Sequence, residues 1–536
     1  MLGTHSFTRS AFWLKVGLAA LLGGLAQFLF IGGLPWGAVV GGFAAAWLLA
    51  VVAARPGLRR DPRALIALLA ACGLALLMIE RPGLLAWLLF GLMLTVAVLS
   101  ARVKAGEPVW RWWQRLVVHA VVSVAGPFID LHRLTRRRRR PRLHRQSPLT
   151  LIRALALPVI GGLVFLTLFA RANPLIDEAL HAVHVTGPSG EMIGRGVFAL
   201  FVALATGALL RPRWRRKLMA LPSLGQRALP GVSTASVILS LIVFNALFAL
   251  QNGLDIAFLW SGAPLPGEMT LADYAHRGAY PLIATALLAG LFVLVALRPG
   301  SETARRPLVR RLVVLWVGQN MVLVASALLR TADYVEGYAL TRFRIAAMIW
   351  MVLVGVGLLL ICWRLLKGKD GHWLIDANVK LALIVLAAVS VVDLGAIAAR
   401  WNVRHAREID GTGAVLDLGY MRSLGAPALV SLVELERTTT DADLKDRAAA
   451  VRTDIHRTLR RQQADWRSWT WRGARRLAKV EAMAAERPLV TPKPGDRTWE
   501  GEILSRPPPP APEAPAPSLL PPQETAPTPL TSASGV

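Results

Sequence analysis

The residues whose types suit chemistry are few and scattered. The nearest approach to a metal-binding pattern is Glu178, His181 and His184 in D-E-A-L-H-A-V-H. On a helix Glu178 and His181 share a face, but His184 points about 120° away from Glu178, so the three do not converge on one ion. No G-x-x-x-x-G-K-[ST], H-E-x-x-H, paired C-x-x-C or G-x-S-x-G occurs, which removes the phosphate-cradling, zinc-protease and acyl-transfer signatures. Cys72 and Cys362 both sit in apolar runs and form no spaced pair. The expectation is therefore no catalytic residue, no bound cofactor and no metal, with an enzymatic role disfavoured.

Polar groups inside or between apolar runs are more informative, because hydrocarbon penalises them unless they find partners. The stretch Arg330 to Arg344, R-T-A-D-Y-V-E-G-Y-A-L-T-R-F-R, packs three arginines, two acids and two tyrosines into fifteen positions. Asn245, Gln251, Asn252 and Asp255 lie in or near one apolar run, Gln319 and Asn320 in another, and Asp393 near the end of a third, with Arg400 seven residues on. One outer polar cluster is expected from Asn252, Asp255, Arg330, Asp333, Glu336, Arg342, Arg344, Asp393 and Arg400, with Asp393 paired to Arg330 or Arg400. Asp273, Tyr274, His276, Arg277 and Tyr280 are expected at the same level. Such a cluster is either an outward-facing cavity or a set of charges and amides that hold helices together, each amide contributing about 0.6 kcal/mol.

These residues must be positioned by membrane-spanning helices. Hydrophobic residues make up 54% of the 536, and the mean hydropathy is +0.48, outside the ordinary soluble range. A spanning helix needs roughly 20 mostly apolar residues. The pattern predicts an all-α polytopic bundle with about eleven spans: 12–31, 36–53, 64–79, 83–99, 151–170, 196–210, 232–253, 280–297, 312–329, 345–366 and 379–399. The net charge of +28 does not indicate nucleic acid, because Lys and Arg alternate between rich and poor loops: 101–153 holds 13 of them and 253–279 only one. That alternation predicts a cytoplasmic N-terminus and places 330–344 and the C-terminal region outside. Residues 116–131, entered through Trp110, Arg111, Trp112, Trp113 and Arg115, suit an interfacial helix. The run Arg136, Arg137, Arg138, Arg139 and Arg140 suits anionic lipid headgroups.

After residue 399 the chain turns polar. The expected organisation is a four-span region (1–100), a basic cytoplasmic loop with the interfacial helix (101–150), a seven-span domain (151–399) and a short extracytoplasmic helical region (400–486). The last part is a disordered Pro-rich tail (487–536) containing Pro507 to Pro510. Trp466, Trp469 and Trp471 sit among arginines, either on a membrane surface or packed on neighbouring helices. The pairs Gly23 with Gly24, Gly41 with Gly42 and Gly161 with Gly162 suit close helix packing.

Three segments, L-A-D-Y-A-H-R-G-A-Y at 271–280, D-Y-V-E-G-Y-A-L-T-R-F-R at 333–344, and W-N-V-R-H-A with L-D-L-G-Y-M-R-S-L-G-A-P-A-L across 401–429, resemble the ordered motifs of the bacterial membrane-protein family called domain of unknown function 4153/4173. The resemblance covers about Ala154 to Leu435 and leaves the first four spans and the tail outside it. It implies a bacterial multi-pass protein with a helical element after the last span, and brings no catalytic residue with it. The family's usual glycine in Y-G-L-T is Ala339 here, so backbone freedom is not expected to matter at that turn. The expected role is a non-enzymatic component of envelope sensing or assembly in the cytoplasmic membrane, with an extracytoplasmic protein partner. The alternatives are a transporter or lipid-handling protein and, third, an enzyme acting on a lipid-linked substrate.

Overall fold

The computed structural model describes residues 9–30, 37–101, 103, 106–124, 190–210, 234–261, 288 and 306–504. The spans expected at 151–170 and 280–297, the basic run 136–140, Glu178 with its histidines, the motif at 271–280 and the chain from 505 onward lie outside these residues. Among the described residues the fold is all-helical, with one isolated β-bridge between Arg497 and Ile503.

Five helices are long and apolar enough to cross a bilayer: α3 (Pro62–Glu80), α7 (Thr234–Asp255), α8 (Pro307–Tyr338), α9 (Arg342–Lys367) and α10 (Gly371–Val391). Shorter apolar stretches, Trp13–Leu29, Ala38–Ala54, Leu84–Ser100 and Gly194–Leu210, lie in α1 (Arg9–Leu29), α2 (Ala38–Ala54), α4 (Leu84–Ser100) and α6 (Gly190–Leu210). Local chemistry sets several boundaries. Asp61 caps α3 by accepting from the Arg63 amide at 3.0 Å, and Pro62 fills the first turn, where a missing N–H costs nothing. Thr341 caps α9 and Asp370 caps α10, while Gly368 ends α9 in the left-handed conformation.

Two cores pack these helices. Leu22, Phe43, Met78, Phe90, Leu94 and Val202 join α1, α2, α3, α4 and α6, and Leu241, Val313, Trp316, Met351 and Leu358 join α7, α8 and α9. Large side chains such as Ile66, Leu69, Leu76 and Ile384 stay exposed on the outer faces, as a lipid-facing surface requires. In each described glycine pair one member makes a close approach: a Cβ at Gly41 would lie 2.6 Å from the Ala75 carbonyl oxygen and one at Gly23 would lie 3.2 Å from that of Ala199, whereas Gly42 and Gly24 face open space. The helix α5 (Val109–Val124) packs on α6 and α10, starting before the stretch at 116–131 that suggested it. Its start is tied to α10 where the Val109 amide donates to Asp376 Oδ1 at 2.8 Å, and Arg115 is paired with Glu107 at 2.6 Å.

Two expected boundaries move. The helix α8 runs 32 residues, about 48 Å against a hydrocarbon core of about 30 Å. Arg330 to Tyr338 thus continues this helix, and only Ala339 to Thr341 turn. The span expected at 379–399 breaks near Val392: α10 occupies 371–391 and Asp393 caps a new helix, α11 (Leu394–Arg404), through the Ala396 amide.

The helix α11 belongs to a helical cap with α12 (Arg407–Asp410), α13 (Leu418–Leu424), α14 (Leu429–Thr438), α15 (Ala442–Ala464) and α16 (Trp471–Glu486). Its centre is Met421, Leu429, Leu432, Val433, Leu435, Ala448 and Val451, all at most 1% exposed, a core of the water-soluble kind in which each large side chain contributes about 1.5–3 kcal/mol. The segment 488–504, expected at the start of a disordered tail, instead lies against this cap: Arg497 pairs with Asp446 at 2.9 Å and Trp499 Nε1 donates to the Gly419 carbonyl at 3.2 Å. Its anchoring side chains Arg497 and Trp499 follow the spaced Pro488, Pro492 and Pro494 and precede the run of consecutive prolines at Pro507 to Pro510.

Candidate functional site

The ends of α3 and α10 and the start of α2 meet at one end of the bundle, and the cap sits there. The Ala38 amide donates to the Trp469 carbonyl at 2.6 Å. Arg81 donates to the Val392 carbonyl at 3.0 Å, and Arg472 donates to the Val391 carbonyl at 3.1 Å. The nine residues expected in one outer cluster are distributed over three places at or below this end.

The first place is a buried seam between α7 and α8. Asp255 and Arg330 are bonded to each other with side chains 0% and 4% exposed, and Gln251 donates to Asp255 at 3.0 Å. Below them Asn252 donates to the Gln319 carbonyl at 3.1 Å, and the Gln319 side chain reaches Asn245 at 3.3 Å. Arg330 therefore does not pair with Asp393. A charge pair this dry is costly to break, and its removal from water is recovered only by the good geometry of the pair.

The second place is the turn between α8 and α9. Ala339 has φ 64° and ψ 167°, the one positive-φ non-glycine among the described residues. That region is nearly glycine-only, so backbone freedom does matter here, against the expectation drawn from its being alanine. The turn is held from both sides. Asn402 on α11 accepts from the Leu340 amide at 2.7 Å and donates to the Leu340 carbonyl at 3.0 Å. The Arg344 guanidinium donates to the carbonyls of Tyr338 and Ala339 and lies 4.4 Å from the Tyr334 ring centre. The Arg342 amide donates to the Tyr420 hydroxyl at 2.9 Å. Thus the motifs at 333–344 and 401–429, distant in sequence, dock on each other. Beside them Glu336, Trp401, His405, Thr412 and Leu416 line a cavity of about 330 Å³. The His405 ring stacks on Trp401 at 3.9 Å. Asp333 is half-buried nearby, whereas Arg400 is exposed on α11 and is not among the arginines that pair with Asp393.

The third place is a charge clamp around Asp393. Its carboxylate is bonded to Arg476, lies 3.5 Å from Arg472 and 4.0 Å from Arg81, and accepts from the Ala396 amide at 3.2 Å. Glu80 completes the clamp, taking Arg472 at 3.2 Å and bonding Arg475. Burial alone pushes the Asp393 carboxyl up. Arg476, the Ala396 amide, Arg81 and Arg472 outweigh that and hold it below its ordinary value. Burial draws the Arg81 and Arg476 guanidiniums down, with Asp393 opposing.

Glu80, Arg81, Arg472, Arg475 and Arg476 escaped the sequence reading. A visible signal existed: Glu80 and Arg81 are adjacent opposite charges in the short link between two apolar runs. Nothing in the sequence pointed to their partners near residue 475. Asn402 and Tyr420 fall inside the quoted motifs, yet motif membership gave neither a role. Chemically, the three places arrange charges for one another. Among the described residues no three His, Cys, Asp or Glu side chains gather as a metal site.

A family model described as a domain of unknown function, DUF4153, matches residues 43–435. The match begins well before Ala154, so most of the four-span region lies inside it. Those early spans carry few polar landmarks, which is why the resemblance was visible only from the later motifs. No curated protein and no solved structure matches the chain.

Proposed function

The chain belongs to the DUF4153 family of domains of unknown function, and from that premise we propose that it is a multi-pass protein of the bacterial cytoplasmic membrane whose cap faces outward and acts, without catalysis, in envelope sensing or assembly. The observation that carries this reading is the clamp: Glu80 and Asp393, at the ends of α3 and α10, are both engaged by arginines of α16. Any force or ligand acting on the cap therefore works directly on the ends of two helices from different parts of the bundle. A protein partner of the cap, with the residues after 505 as a further contact, is part of this proposal.

The test is complementation of a deletion strain under envelope stress. Wild-type protein restores growth, while Asp393→Asn, expressed at the same membrane level, does not. Full rescue by Asp393→Asn at equal level overturns the reading. A second reading, transport or lipid handling, draws on the buried polar seam of Asn245, Gln319, Asn252, Asp255 and Arg330. It requires Asn252→Leu to abolish the phenotype while leaving the clamp and protein level intact.

A further inference from the structure

The segment Trp466 to Arg476, W-R-S-W-T-W-R-G-A-R-R, crosses the capped end of the bundle where the apolar helices stop. Three contacts fix its depth. Trp466 lies 6.3 Å, centre to centre, from Phe28 in the last turn of α1. The Trp469 carbonyl accepts from the first residue of α2. Arg472 and Arg475 reach Glu80, the last residue of α3. Residues held at the ends of three apolar helices stand at headgroup depth once those helices are in a bilayer.

The exposed side chains here are of the type that this depth favours. Trp466 is 55% and Trp471 57% exposed, and tryptophan prefers the interface because its ring is apolar with one polar edge. The Arg467 guanidinium lies 5.3 Å from the Trp466 ring centre, and Arg475 lies 5.6 Å from that of Trp471. Arg475, with a side chain 58% exposed, bonds Glu80 on its protein side. Among the described residues Arg81, Arg472, Arg475 and Arg476 of the clamp face two carboxylates, Glu80 and Asp393, so positive charge is left over beside the exposed tryptophans.

We propose that Trp466, Trp471 and Arg475, backed by the surplus charge of the clamp, form a docking surface for the phosphate of an anionic phospholipid in the adjoining leaflet. A bound anion offsets the arginine excess and thereby couples the lipid composition of that leaflet to the seating of the cap on α3 and α10. The proposal rests on the membrane reading, but not on a sensing or assembly role.

The experiment uses the full chain in nanodiscs of phosphatidylcholine alone and of phosphatidylcholine with phosphatidylglycerol. Thermal unfolding and native mass spectrometry of retained lipid are the readouts. Expected is a higher unfolding midpoint and retained phosphatidylglycerol for wild-type protein. Retention should fall about fivefold in Arg475→Gln, in line with roughly 1 kcal/mol per basic group near the surface. Arg475→Lys should keep most of it. Because Arg475 and Trp471 are exposed, Arg475→Gln and Trp471→Ala are expected to fold, and equal midpoints in phosphatidylcholine check this. A wild-type protein indifferent to phosphatidylglycerol, or an Arg475→Gln, Trp471→Ala double variant that retains as much of it, overturns the proposal. So does inorganic phosphate reproducing the full stabilisation in detergent, which assigns the site to a soluble anion. Carbonate-resistant membrane association measured on the same protein separates failure of this proposal from failure of the membrane reading.

Discussion

Asp393 shows how a single side chain serves two elements, accepting from the Ala396 amide to start α11 and gathering Arg476, Arg472 and Arg81. Asp393→Asn keeps the cap geometry but leaves Arg476 and Arg81 without their countercharge, while Arg472 retains Glu80, at a cost of about 2–4 kcal/mol, just below the cost of breaking a fully buried pair. Because the folded carboxyl is held below its ordinary 3.8, its contribution is complete above that value and is lost as pH falls through the lower folded value. The wild-type advantage in thermal unfolding over Asp393→Asn should therefore be constant from about pH 7 to pH 5 and shrink below about pH 4. Ala339 predicts the opposite sign. Since its φ of 64° with ψ 167° suits glycine, Ala339→Gly should raise stability by about 1 kcal/mol or more in the same assay.

At the scale of elements, the turn between α8 and α9 is joined to the cap by Asn402 and Tyr420. Asn402→Ala strands both the amide and the carbonyl of Leu340, which is 6% exposed, and should cost about 2–3 kcal/mol. Limited proteolysis between α10 and the cap reads this as faster cleavage with the spans intact, while Tyr420→Phe should cost only about 1 kcal/mol. The apolar runs were legible because hydropathy over twenty residues reports a span directly. Their ends were less so: the extension of α8 to Tyr338 depends on Val335 and Leu340 packing with Ala398, a contact invisible to a local window. Likewise, Asp393 read as a span residue because Val391, Val392 and Leu394 surround it. Only the fold reveals it as a cap.

At the scale of the molecule, alternation of charge predicts that the capped end lies outside the cytoplasm, and Glu336, exposed at that end, is the place to test it. With Cys72 and Cys362 replaced by alanine, Glu336→Cys should react with a membrane-impermeant maleimide in intact cells. Labelling only after the membrane is opened reverses the orientation. Which polar residues belong together was the least legible feature, because partners lie far apart along the chain. Glu80 meets Arg472 across 392 positions, and Arg81 reaches Val392 across 311. That separation has a consequence for how the protein is made. During synthesis the first spans enter the membrane with Glu80 and Arg81 uncovered; Arg81 can meet Val392 and Asp393 once α10 is made, but Glu80 waits for Arg472 and Arg475 of α16. The Glu80 half of the clamp therefore closes after the rest, and a product truncated before residue 472 should leave Glu80 without either arginine partner.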